Sequence, residues 1–163
     1  MNALELLGPG APSADPPPCP YSPLIGSWDV KTSWYLPDGT TRESDGEWHF
    51  SWILGGWGIQ DVLFARGADV HRRGTSIRCY DSGADLWRVV WMMPAGGEFV
   101  ALIASGDGDR IVQEGDSLDG TLRQRWTIFQ ITQTSFLWQG ESSNDDGSTW
   151  RLDQEMRATR RAE

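Results

Sequence analysis

From Leu24 onward the chain alternates between apolar and polar residues, and Gly-, Asp- and Asn-rich turns interrupt it about every 8–12 residues. Successive side chains on a strand face opposite sides, so a period of two predicts strands. Between 25 and 36, Trp28, Val30, Thr32 and Trp34 alternate with Ser27, Asp29, Lys31 and Ser33. Pro37-Asp38-Gly39-Thr40 has the composition of a tight turn. Between 41 and 53, Trp48, Phe50 and Trp52 oppose Glu47, His49 and Ser51. The same pattern predicts strands over 57–66, 75–81, 86–93, 98–105, 110–116, 122–132, 136–143 and 148–159. No window sustains the 3.6-residue apolar period of a helix. Ten short strands joined by short loops form a meander, and a meander must dispose of its edges. Closure removes them, so the sequence predicts an all-β fold: a closed up-and-down antiparallel β-barrel of about ten strands, calycin/lipocalin-like, with a sandwich as the alternative. A barrel of eight to ten strands leaves room for one small ligand.

Residues 1–22 break the pattern. Ala3-Leu4-Glu5-Leu6-Leu7 suits one helical turn, but six of the nine prolines follow within this segment, at 9, 12, 16, 17, 18 and 20. Proline fixes φ and lacks an N–H, so the segment reads as a flexible Pro-rich N-terminal arm (1–22) before a single barrel domain (23–163). The length of 163 residues suits one domain. The net charge of −9 repels phosphate, which argues against nucleic acid and anionic membrane surfaces. Apolar stretches fall far short of the ~20 residues of a spanning helix, and no basic segment precedes a long apolar one. The expected location is the cytoplasm, as a monomer or homodimer. Two cysteines are too few for a disulfide framework; Cys79 reads as a small buried apolar residue and Cys19 as loose.

The unusual number is ten tryptophans. Phase places Trp28 and Trp34, Trp48 and Trp52, and Trp87 and Trp91 on common faces of their strands. Trp126, Trp138 and Trp150 fall in phase with apolar neighbours. Most of the indoles therefore face one side, as core or as the wall of a cavity. We expect a pocket of at least ~300 Å3, a usual lower size for ligand sites, lined by Trp34, Trp48, Trp91, Trp126 and Trp138. Three amides share phase with inward residues: Gln60 with Val62 and Phe64, Gln124 with Trp126, and Gln154 with Leu152 and Met156. A buried amide without a partner costs ~1–3 kcal/mol, so such groups belong to a network or to a ligand. Gln60 and Gln154 are the expected polar ligand contacts. Asp61 lies in the opposite phase to Gln60, on the surface, unless a bulge after Gly55-Gly56 turns it inward; Gln60 and Asp61 are then the candidates for catalysis.

Other chemistry is thin. His49 and His71 have no partner at metal-ligand spacing; His49 falls outside the barrel by phase and His71 in a polar loop, so neither metal nor haem is expected. Gly-x-Ser-x-Gly and a phosphate-cradling Gly-rich loop are absent. Gly106-Asp107-Gly108-Asp109 reads as a hairpin turn.

Several segments together resemble a family: Gly46-Glu47-Trp48-His49-Phe50-Ser51-Trp52-Ile53-Leu54-Gly55-Gly56, Ile59-Gln60-Asp61-Val62, Arg78-Cys79-Tyr80-Asp81, Trp87-Arg88-Val89-Val90-Trp91, Ile111-Val112-Gln113-Glu114-Gly115, Arg125-Trp126 and Ile131 to Glu141. They resemble the DUF1579-like family of calycin-type barrels over about 24–160. The resemblance implies the barrel fold and no particular activity. In calycin barrels a Gly-x-Trp like Gly26-Ser27-Trp28 closes one end, its Trp beneath an Arg of the last strand. Arg157 is the first candidate here and Arg160 the second. Trp57 stands where such proteins often carry Arg, near the expected barrel mouth, which counts against an anionic ligand. The expected function is binding of a small, largely apolar molecule, aromatic or polyene, without a cofactor. The alternative is a cofactor-free cyclase or isomerase acting on such a molecule in secondary metabolism, since positioning alone supplies several kcal/mol.

Overall fold

The structure is a computed structural model that describes Pro12, Ser13 and residues 15–162. The suggested helical turn at Ala3–Leu7 lies outside the described residues. Ten antiparallel strands form the barrel: β1 (Gly26–Tyr35), β2 (Thr41–Ile53), β3 (Gly58–Ala65), β4 (Gly74–Asp81), β5 (Leu86–Met93), β6 (Glu98–Asp107), β7 (Arg110–Ser117), β8 (Arg123–Phe129), β9 (Ser135–Ser143) and β10 (Arg151–Arg160). Each pairs with its sequence neighbours, and β10 closes on β1. The closed up-and-down barrel is therefore the observed architecture, and the sandwich alternative falls away. Three single-turn 3-10 segments are the described helical structure, and none is long and apolar enough to cross a membrane.

Register fixes which face each residue occupies, because residues directly opposite on paired strands point the same way. Trp28 faces Trp48, and Phe50 faces Asp61. Trp28, Val30, Phe50, Ile59, Trp87, Val89, Ile111, Ile128 and Phe136 are buried and fill the half of the barrel where β1 begins. Trp28 closes that end. Its Nε1–H donates to the Leu24 carbonyl at 2.7 Å, and the Arg160 guanidinium lies 4.1 Å from its ring. Arg160 also donates to the carbonyls of Pro23, Ile25 and Gln133. The plug arginine is thus Arg160, directly opposite Trp28, while Arg157 is exposed in the other phase.

The proline segment departs from the expected arm. Pro17 and Tyr21 are buried, and Cys19 packs against the core. Trp87 Nε1–H donates to the Pro18 carbonyl at 3.1 Å, and Ser13 N–H donates to the Gly55 carbonyl at 2.6 Å. A chain poor in N–H donors still offers carbonyls and apolar rings, and here these lie across the plugged end. Trp57 also lies at this end, beside Tyr80 (5.9 Å between rings), not at the mouth as expected. Trp150 is the other departure among the indoles. A bulge between Leu152 and Gln154 shifts the phase of β10, and Trp150 sits on the outer face beneath Arg125 (4.2 Å).

Candidate functional site

The opposite half of the barrel is hollow. It encloses about 1400 Å3, mouth included, and opens between the turns that join β3 to β4, β5 to β6 and β7 to β8. Trp34, Trp48, Trp91, Trp126 and Trp138 line it, and Gln124 and Gln154 contribute their amides. The indoles form a continuous wall: Trp91 and Trp126 meet edge to face at 6.3 Å, and Trp126 and Trp138 lie 5.8 Å apart. Two glycines make room for them. A Cβ at Gly74 would fall 1.9 Å from the Trp91 ring, and one at Gly140 would fall 2.3 Å from Trp138, so both rings lie directly over backbone. The lip carries both charge signs, with Arg42, Arg66 and Arg72 near Asp69, Glu98 and Asp119.

Gln60 does not reach this cavity. β3 presents Ile59, Asp61 and Leu63 inward, because they lie opposite Trp52, Phe50 and Trp48. Gln60 faces out and its amide donates to Thr75 Oγ1 at 3.1 Å. Val62 and Phe64 share its outer face, where Phe64 packs between the rings of His49 (5.9 Å) and the guanidinium of Arg73 (4.5 Å). Asp61, expected outside unless a bulge intervened, is inside and 1% exposed.

Its partner is a residue that strand phase alone does not single out. Arg78 on β4 is 1% exposed, and its Nη1 donates to Asp61 Oδ2 at 2.5 Å. The Ser76 amide donates to Asp61 Oδ1 at 2.9 Å. Arg78 Nε donates to Gln113 Oε1 at 3.4 Å, and the Tyr21 hydroxyl donates to the same oxygen at 3.0 Å. Tyr21 and Phe50 also lend ring faces to the guanidinium, at 5.0 and 5.6 Å. The set separates the packed half from the hollow half, and Arg78 lines the cavity floor. Burial works against the Arg78 charge, but Asp61 and Tyr21 outweigh it and hold the group above its ordinary value. Burial also pushes the Tyr21 phenol up, against the opposing pull of Arg78. The sequence signal was present: β3 and β4 each carry a charge of opposite sign in the phase that Ser76 and Gly74 share.

His49 lies on the outer face, bonded to Ser27 Oγ (2.9 Å) and Glu47 (3.0 Å), and His71 is exposed in a loop. Both cysteines are half-buried and free. Burial raises the Cys19 thiol from 9.0 to about 11, the opposite of what a nucleophile needs. Stability follows from the sign of these shifts. Cys19 and Tyr21 release protons more readily in the unfolded chain than in the folded one, so stability is full below pH 9 and falls as the pH rises towards 11. Thermal melts between pH 8 and 11 should show Tm declining over that window, and a Cys19→Ala variant should show a shallower decline. A flat profile would mean that both Cys19 and Tyr21 are solvated.

No family model and no curated protein matches the sequence. Solved structures match across the whole barrel. An S-type phycobiliprotein lyase, CPES, from Guillardia theta aligns with a TM-score of 0.58 and 8% identity, over 88% of this chain and 91% of that one. Rv2717c from M. tuberculosis aligns with a TM-score of 0.56 and 17% identity, over 91% of this chain and all of that one (100%). At these identities the likeness establishes the fold: this chain is similar to other lipocalin-like barrels.

Proposed function

We propose that this chain is a binding barrel that holds one small, largely apolar molecule, aromatic or polyene, in the indole-lined hollow. One observation carries the reading: five indoles converge on a cavity that is open at one end and plugged by Trp28 and Arg160 at the other. Flat apolar faces with a few placed polar groups are what ligand sites are made of. The phycobiliprotein lyase named among the similar structures is consistent with a small guest in such a barrel. Cyclase or isomerase chemistry finds less support, because both oxygens of Asp61 are already engaged, by Arg78 and by the Ser76 amide. The reading needs no cofactor and places the protein in the cytoplasm as a monomer or homodimer, among the DUF1579-like barrels. Native mass spectrometry of the purified full chain, incubated with an apolar cell extract, tests it. The expected result is a one-to-one adduct that is released on denaturation. A spectrum of apo protein alone, across extracts of varied origin, counts against it.

A further inference from the structure

The cavity floor holds a hydrogen-bond donor that the protein itself does not use. Trp48 is 3% exposed and lines the cavity, and among the described residues its Nε1–H has no partner. Gln113 is 0% exposed and is not part of the cavity wall; Tyr21 and Arg78 both donate to its Oε1. Arg78 lines the same floor, but its guanidinium is engaged: Nη1 on Asp61, Nε on Gln113, with the Tyr21 hydroxyl also in hydrogen-bond reach. Trp48 and Arg78 are neighbours through one ring, since Phe50 lies 4.8 Å from the Trp48 ring and 5.6 Å from the guanidinium. A buried donor left unbonded is costly, and native proteins satisfy the great majority of them. An unused donor on a residue that lines a hollow marks where an acceptor belongs.

Charge decides what kind of acceptor. Arg78 is already neutralised by Asp61 at 2.5 Å. A guest carboxylate would bring a second negative charge towards Asp61 at a floor where Arg78 is only 1% exposed, and like charges in poorly solvated surroundings disfavour each other. A neutral oxygen with lone pairs, such as a ketone, aldehyde, enone or amide carbonyl, accepts these bonds without that penalty.

We propose that the guest of this barrel carries a neutral carbonyl oxygen, seated at the cavity floor on Trp48 Nε1, with its apolar body against the indole wall. This rests on the binding reading above and names the chemical class of the ligand.

Three probes of one shape test it: 2-acetylnaphthalene, its isostere 2-isopropenylnaphthalene, in which CH2 replaces the oxygen, and 2-naphthoate. Affinities are read by quenching of tryptophan fluorescence in the full chain. The ketone should bind about fivefold tighter than the alkene, the gap expected from one added hydrogen bond, and tighter than the carboxylate. Trp48→Phe keeps a ring in place and removes the N–H. It should weaken the ketone about threefold and leave the alkene unchanged. Equal binding of ketone and alkene would overturn the carbonyl seat while leaving the binding reading intact. Tightest binding by the carboxylate would overturn its neutral character. If Trp48→Phe weakens both neutral probes alike, the indole N–H plays no part and the seat as drawn is wrong. If none of the probes binds at any concentration, the binding reading fails together with this inference.

Discussion

Asp61→Ala is expected to cost about 3–5 kcal/mol of stability, because it strands the Arg78 charge in a site that is 1% exposed. At about 2–4 °C per kcal/mol for a domain of this size, Tm should fall by about 6–20 °C. The loss is that of an orphaned cation rather than of an attractive pair. Replacing both partners with apolar residues, Asp61→Leu with Arg78→Met, should therefore recover most of the stability. A single variant that melts within about 2 °C of the parent, less than 1 kcal/mol, would mean that water already reaches the pair.

Tyr21→Ala should have a comparable effect, about 3–5 kcal/mol, the range for removing a large buried aromatic. Tyr21 is fully buried, meets Trp87 edge to face at 5.8 Å and covers Arg78 with its ring. Tyr21→Phe keeps that packing and removes only the bond to Gln113, which should cost about 0.5–1.5 kcal/mol. Denaturant melts of the two variants separate packing from hydrogen bonding. If Tyr21→Ala is as mild as Tyr21→Phe, the segment before β1 contributes little to the plugged end and behaves as the arm its prolines suggest.

The strands were legible because their signal is dense: the apolar and polar phases separate cleanly in β1, β2 and β5, and glycine-bearing turns mark the boundaries. The five indoles of the cavity follow from phase alone once the sheet closes. β3 and β4 were harder. Gln60, Val62 and Phe64 look as apolar as Ile59, Asp61 and Leu63, and the true inward phase contains the charge. Only the pairing of β3 with β4, which sets Asp61 opposite Ser76 and brings Arg78 within reach, makes that phase affordable. A single strand carries no such information. Likewise, composition marked residues 12–21 as irregular and said nothing of where they rest; Cys19 and Tyr21, apolar among prolines, were the clue to packing. Arg160 rather than Arg157 follows from parity along β10, counted from Met156 and Ala158 inward, and the bulge that turns Trp150 outward has no clear mark in the residues around it.

The central claim, that the indole-lined hollow holds a guest, is tested most directly by narrowing it. Ser44 on β2 faces the cavity and is half-buried, with open space before it. Ser44→Trp places one more indole in that space and leaves the plugged half untouched. N-phenyl-1-naphthylamine, a neutral apolar probe, accepts energy from tryptophan only at close range. Titrated into the parent chain, it should give saturable energy transfer with one probe per chain, and in Ser44→Trp of equal thermal stability its affinity should fall. Equal saturable binding by both proteins would place the probe outside the barrel and contradict the account.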